Sequence, residues 1–298
     1  MIQMNKKYSL NEYIEIINKY LDTAVGECDF GEDIVHRAMK YSLSIGGKRI
    51  RPVLVLEFCR LCGGDIYKAL PFAAAIEMIH TYSLIHDDLP CMDDDDMRRG
   101  MPSCHKKFGE EYALLAGDGL LTRAFGMIAE SDIAEESPAI AIEAVKLLSA
   151  LAGANGMIGG QVVDLRNEDK PCSMETLRTM DSLKTGALIK CAALLGVIAA
   201  DGTDEQKAAA AAYAENLGHA FQIVDDILDV IGDEKELGKP IGSDADSNKS
   251  TYVSILGIEE SKKRADELTQ KAIESLDIFG SDGAFLKDLA MSLISRKN

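Results

Sequence analysis

The chain has no tryptophan, and its aromatic residues amount to 6% of 298, which leaves little to build an aromatic-walled pocket. Positive charge is also scarce: 32 Lys and Arg stand against 49 Asp and Glu, a formal net charge of −17. That balance argues against nucleic acid and anionic membrane surfaces as partners, since both attract basic patches. Long apolar runs are missing too. Ala187–Ala200 is interrupted by Lys190 and is too short for a bilayer span, and no apolar run or small-residue cleavage site follows MIQMNKKYSLNEY. A cytoplasmic protein is therefore expected. Seven scattered cysteines include one CxxC, Cys59 and Cys62, with no second pair to complete a zinc site. Structural thiols in a reducing compartment are expected.

No run alternates β-branched and polar residues, and no low-complexity linker or fixed-period repeat divides the chain. What is present is helical periodicity over roughly residues 8–24, 31–44, 50–62, 68–90, 106–130, 137–166, 173–200, 204–231, 250–278 and 283–296. Gly and Pro punctuate the gaps, and Gly153, Gly156, Gly159 and Gly160 fall within one helical pattern, where a bend or close packing is expected. The pattern predicts an all-α protein: a single large bundle of about ten helices, spanning 1–298 as one domain, with its site among the helices.

Two aspartate clusters stand out. The first is HDDLPCMDDDD, from His86 to Asp96, followed by Arg98 and Arg99. His80 and Asp87 share a stripe, whereas Pro90 disturbs the helix, so helical geometry does not place Asp93. In the second, Gln222, Asp225, Asp226 and Asp229 recur at i, i+3, i+4 and i+7 on an otherwise apolar helix. Like charges on one stripe repel, so a cation is expected to neutralise them. Carboxylates without His or Cys suit magnesium, manganese or calcium. An EF-hand beginning at Asp93 fails, because Arg98 occupies the position that needs glycine. Magnesium, which completes its shell with water and substrate phosphates, fits best.

This acidic chain also collects cations near those clusters: Lys48, Arg49 and Arg51 after Gly46-Gly47, then Arg98-Arg99, Lys184, Lys239 and Lys249. Arginine forks match phosphate oxygens, and lysine acts as a mobile point charge. Together they describe sites for two diphosphates, one bound through metal and one through basic side chains.

The segments GGKRIRP, IHTYSLIHDDLPCMDDDDMRRGMPSCHKKFGE, GDGLL, KTGALI and FQIVDDILDVIGDEKELGKPIGSDADSNKSTY resemble the short-chain trans-prenyl diphosphate synthases, particularly bacterial farnesyl diphosphate synthases. The resemblance covers about residues 46 to 257 and implies the isoprenoid synthase fold around a central cavity. It implies that Asp87, Asp88, Asp93 and Asp225 coordinate Mg2+, three ions with substrate bound and Mn2+ as a substitute, with Asp226 and Asp229 completing the second motif. It further implies that Arg98, Lys184 and Lys239 contact an allylic diphosphate, while Lys48, Arg51, His80 and Arg99 hold isopentenyl diphosphate. Thr185, Gln222 and, more weakly, Lys249 then sit near the reacting carbons. His86 is equally close to the aspartates and is read as a support; His36, His105 and His219 are read as structural or surface residues. The family is usually homodimeric.

In this family an aromatic residue five positions before the first aspartate pair limits chain growth, and Tyr82 occupies that position, beside Ser83. Farnesyl diphosphate is the expected product. The fragment DDLPCMD also occurs in plant-type geranylgeranyl synthases, which keeps a twenty-carbon product open. A class I terpene cyclase, a non-catalytic partner subunit and a calcium-buffering protein are the competing classes. Each fits less well, given the second Asp motif, the retention of both motifs and the basic clusters, respectively.

Overall fold

The structure is a computed structural model that describes residues 6–28, 33–168, 170–231 and 250–295. Among these, helices form nearly everything, in two compact units: residues 1–146 with 198–201, and residues 147–197 with 202–298.

In the first unit α1 (Leu10–Ala24) starts on a capping box, in which Ser9 and Glu12 satisfy each other's backbone donors. After α2 (Ile34–Ser44) come two helices that are apolar on nearly every side, α3 (Ile50–Leu61) and α4 (Leu70–Asp87). Such helices belong in a core, and the residues from Pro52 to Cys59 are all buried. Buried acids here are matched by cations. Glu57 accepts from Tyr13 at 2.5 Å and from Arg60, and Glu77 accepts from the Arg49 guanidinium at 2.6 Å. Burial of Arg49 and Glu77 is nearly complete, and removing either would leave an uncompensated charge at a cost of about 3–5 kcal/mol.

Helix α4 stops at Asp87, three residues before the expected boundary, because Pro90 biases its predecessor away from helix. A small hairpin follows, β1 (Met97–Arg98) paired antiparallel with β2 (Met101–Pro102). Arg99 and Gly100 form its two-residue turn with φ of 52° and 76°, the sign a tight hairpin needs at both positions. Short α5 (Cys104–Phe108), α6 (Glu110–Ala129) and α7 (Asp132–Glu136) complete the unit, with α4 and α6 packed along each other.

Helix α8 (Pro138–Ala152) runs from the first unit into the second. The chain then bends at Gly153–Gly156, where a bend or close packing was expected, before α9 (Met157–Asn167). Helix α10 (Met174–Asp181) passes through a π-turn at Ser182–Gly186 into α11 (Ala187–Ala199). Long α12 (Asp204–Ile231), short α13 (Tyr252–Leu256), α14 (Ile258–Ser275) and α15 (Ala284–Ile294) finish the unit, with α12 packed on α14. The apolar run containing Ala187–Ala200 is thus part of a longer helical stretch. By length and composition alone, Pro138–Asn167 and Met174–Ala199 would each suffice to cross a membrane. Buried core helices share that composition; 56% of the second stretch's apolar part is buried, against 33% of the first's.

Candidate active site

In the first unit the hairpin and the α3 N-terminus bring cations around His80. Arg99 donates from Nη1 to the Gly46 carbonyl. Gly47, at φ 124°, has no room for a Cβ, which would collide with the Arg99 guanidinium. Arg51 has a buried Nε with no hydrogen-bond partner, and burial pulls its pKa down to about 10. Burial, followed by Arg51, Arg99, Arg49 and Arg98, holds His80 well below the usual imidazole range. A neutral imidazole among guanidinium groups is the electrostatic imprint of a site built for an anion. A cavity of about 610 Å³ lies beside the same glycine loop and is lined by Gly46, Arg49, Lys40 and Lys107, among others.

The first aspartate motif sits at the exit of α4. Its loop turns back so that the Asp93 amide donates to the Asp87 carbonyl at 2.8 Å, which places Asp93 beside Asp87 where helical spacing was silent. Asp88 is buried and receives Arg98 through Nε at 2.9 Å and through Nη2. Burial raises the Asp88 pKa against the pull of that guanidinium. Arg98 also reaches Asp95 at 3.2 Å. His86 is held by the Leu114 carbonyl at 3.1 Å and fills the space beside Gly117, as a support would.

In the second unit, Asp164, Asp181, Lys184, Thr185, Gln222, Asp225 and Asp226 all line one cavity of about 300 Å³. Lys184 and Thr185 ride on the π-turn, a rare geometry that favours functional positions. The turn lies against α9 at Gly160, where any Cβ would strike the Lys184 backbone. Lys184 pairs with Asp164. Asp226 accepts from the Tyr252 amide at 2.7 Å, and Asp181 is buried with an Oδ2 that has no partner. Burial pushes the Asp181 pKa up to about 7, with a hydrogen bond from Tyr252 opposing the rise and nearby Asp164 adding to it. Among the described residues the cavity gathers several carboxylates and one lysine, which fits a hard divalent cation with oxygen ligands.

A polyprenyl synthetase family model matches residues 32–278. The chain belongs to the polyprenyl synthetase family. It is a prenyltransferase, and its fold is the all-α fold of the isoprenyl synthases. It is 41% identical over 292 residues to the farnesyl diphosphate synthase of Geobacillus stearothermophilus, covering 97% of this chain and 98% of that one. It is 45% identical over 290 residues to the large subunit 1 of a heterodimeric chloroplastic geranylgeranyl pyrophosphate synthase of Arabidopsis thaliana, covering 95% of this chain and 77% of that one. Among solved structures, the apo form of an FPP/GFPP synthase from Zymomonas mobilis matches with a TM-score of 0.85 at 34% identity, covering 96% and 97% of the two chains.

Within this family frame, the structure brings Lys184, Thr185, Gln222, Asp225 and Asp226 to one cavity. Asp229 is buried and does not line it. Lys48 is exposed on the glycine loop, while Lys239 and Lys249 lie outside the described residues. Tyr82 is buried with its ring edge-on to His86 at 5.6 Å, and its hydroxyl has no partner. Burial, then Asp87, raises the Tyr82 pKa to about 12. Ser83 donates to its own helix at the His80 carbonyl, 2.9 Å away. Sequence reasoning missed Asp164, Asp181 and the Arg49–Glu77 pair, whose partners are remote in sequence. Only Gly159 and Gly160, just before Gln161, hinted that Asp164 approaches another helix.

Proposed function

We propose that the chain condenses isopentenyl diphosphate head-to-tail with dimethylallyl and geranyl diphosphate, releasing pyrophosphate and giving farnesyl diphosphate. The observation that carries this reading is the convergence of Lys184, Thr185, Gln222, Asp225 and Asp226 on one carboxylate-rich cavity. In this reading Asp87, Asp88, Asp93, Asp225, Asp226 and Asp229 hold magnesium, three ions with substrate and manganese in substitution. When bound, these ions supply charge neutralisation for the departing pyrophosphate. Arg98, Lys184 and Lys239 grip the allylic diphosphate, and Lys184 exchanges Asp164 for a phosphate oxygen. Lys48, Arg51, His80 and Arg99 hold isopentenyl diphosphate, with His80 serving as a neutral hydrogen-bond donor.

The allylic carbon–oxygen bond ionises as its electron pair leaves with pyrophosphate, whose charge these side chains absorb. The isopentenyl double bond then attacks the cation, and a proton passes to the pyrophosphate. Thr185, Gln222 and Lys249 lie beside the reacting carbons, so the protein's part is positioning more than covalent catalysis. The same reading takes the protein as a cytoplasmic homodimer of one domain spanning 1–298. A family match that runs through both compact units supports the single domain.

Tyr82, buried one turn before Asp87, is assigned as the floor that stops the chain at fifteen carbons. Incubating the protein with magnesium, isopentenyl diphosphate and dimethylallyl diphosphate should give farnesol after dephosphorylation, and chelator should abolish it. Tyr82→Ala should shift the product to twenty carbons or more; an unchanged length would place the floor elsewhere. The second reading is a geranylgeranyl product, favoured by the 45% identity to several geranylgeranyl synthases. Geranylgeraniol from the unaltered protein would establish it.

A further inference from the structure

Beyond the aspartates assigned to magnesium, one more group of potential ligands converges. Asp94, Asp96 and His105 each present a ligand atom, all within 4.8 Å of one another; among the described residues no other group of three His, Cys, Asp or Glu does so. The hairpin creates this cluster: the Ser103 amide donates to the Asp96 carbonyl at 2.9 Å and returns the chain so that α5 begins beside the aspartates.

Acidic residues at a loop are common, but His105 makes this group different. It is only 6% exposed, and its Nε2 is buried without a hydrogen-bond partner, 4.0 Å from Asp94 Oδ1. A buried polar nitrogen left unpaired is destabilising until something binds it. The other ring nitrogen, Nδ1, meets the fully buried Ser103 hydroxyl at 3.0 Å. With Nδ1–H donating to that oxygen, the Nε2 lone pair faces the carboxylates, the arrangement in which protein imidazoles bind metals.

We propose that Asp94, Asp96 and His105 form a site for a divalent first-row transition ion of the zinc or cobalt type. Imidazole with two carboxylates suits such ions, whereas magnesium prefers oxygen alone. Two ligands on a tetrahedral ion lie ~3.4 Å apart, so the exposed Asp94 side chain closes about half an ångström. The competitor is Lys106, whose ammonium holds Asp96 at 2.7 Å. Both partners are well exposed, and such pairs contribute little and exchange readily. A bound ion would tie the residues before β1 to those after β2 and so brace the hairpin that carries Arg98 and Arg99.

The test is a titration of chelator-stripped full-length protein with Co2+ in excess magnesium, read by visible d–d absorption. One equivalent should bind, with a nitrogen–oxygen spectrum and no thiolate charge-transfer band. Asp94→Asn with Asp96→Asn, both exposed and safe for folding, should weaken binding at least about tenfold, and Ser103→Ala by about 10–100-fold. His105→Gln should abolish the band if it folds. Lys106→Met should tighten binding severalfold, which a purely structural role for His105 does not explain. Absence of binding, full displacement by magnesium, a thiolate band from Cys91 or Cys104, or binding that survives the double aspartate change would each overturn the proposal.

Discussion

The first aspartate motif pairs with cations of its own hairpin and of α5, whereas the second is held partly by a backbone amide and shares its cavity with still more carboxylates. Arg98 bridges Asp88 and Asp95, and Lys106 reaches Asp96. Asp226 instead receives the Tyr252 amide, and the nearby Lys184 is committed to Asp164. Similar runs of aspartate therefore carry different burdens. In the first motif, the carboxylates pair with neighbouring cations that any bound metal would join. In the second, several carboxylates gather along one cavity that suits a bound cation.

Changing one carboxylate in each motif to its amide gives the largest expected contrast. Asp88→Asn removes the buried one of Arg98's two carboxylate partners and leaves the exposed Asp95. Activity should fall about 10²–10³-fold, the scale for losing a charge that stabilises a transition state. Burial raises the Asp88 pKa, so the folded state already disfavours its charge, and stability should hold within about 1 kcal/mol. Asp226→Asn keeps an oxygen that can accept from Tyr252. Activity should drop about 10–100-fold while Tm moves by less than about 2 °C. Thermal melts and steady-state rates of the two proteins check this. Equal losses of activity would erase the distinction between the motifs.

A smaller effect separates the motifs by pH. Asp181 belongs to the acidic cavity, and its pKa lies near 7 where an exposed aspartate would titrate near 4. A raised carboxyl pKa means that the folded state favours the protonated form. Its contribution is therefore complete at low pH and is lost as pH rises from about 4 through about 7. Asp181→Asn cannot ionise, so it should melt progressively higher than the wild type across that window, with a gap of roughly 1–3 kcal/mol above pH 7 in metal-free buffer. A gap constant from pH 4 to 8 would show that Asp181 is ionised throughout.

How much of this was legible in advance depended on range. Pro90 and the glycines from Gly153 to Gly160 act on their immediate neighbours, so the end of α4 and the bend before α9 follow from local chemistry. The i, i+3, i+4, i+7 stripe of the second motif is also local, and Gln222, Asp225 and Asp226 duly line one cavity. The hairpin escaped notice because two-residue strands are too short for any alternation to show, and its one signal was Arg99-Gly100. Asp164 and Asp181 acquire their roles from residues on other helices, and the π-turn under Lys184 has no sequence period to betray it.

The smallest effect concerns a polar atom that neither motif uses. The Tyr82 hydroxyl is buried without a partner, so it contributes a desolvation cost and no hydrogen bond. Tyr82→Phe removes the oxygen and keeps the ring against His86, 5.6 Å away. Stability should stay level or rise by up to about 1 kcal/mol, a Tm change of roughly 0–4 °C. Product length should be unchanged, because a floor acts through the volume of the ring. If Tyr82→Phe lengthened the product while Tm held, the hydroxyl itself would be touching the growing chain, and the floor would be a polar contact in place of a steric one.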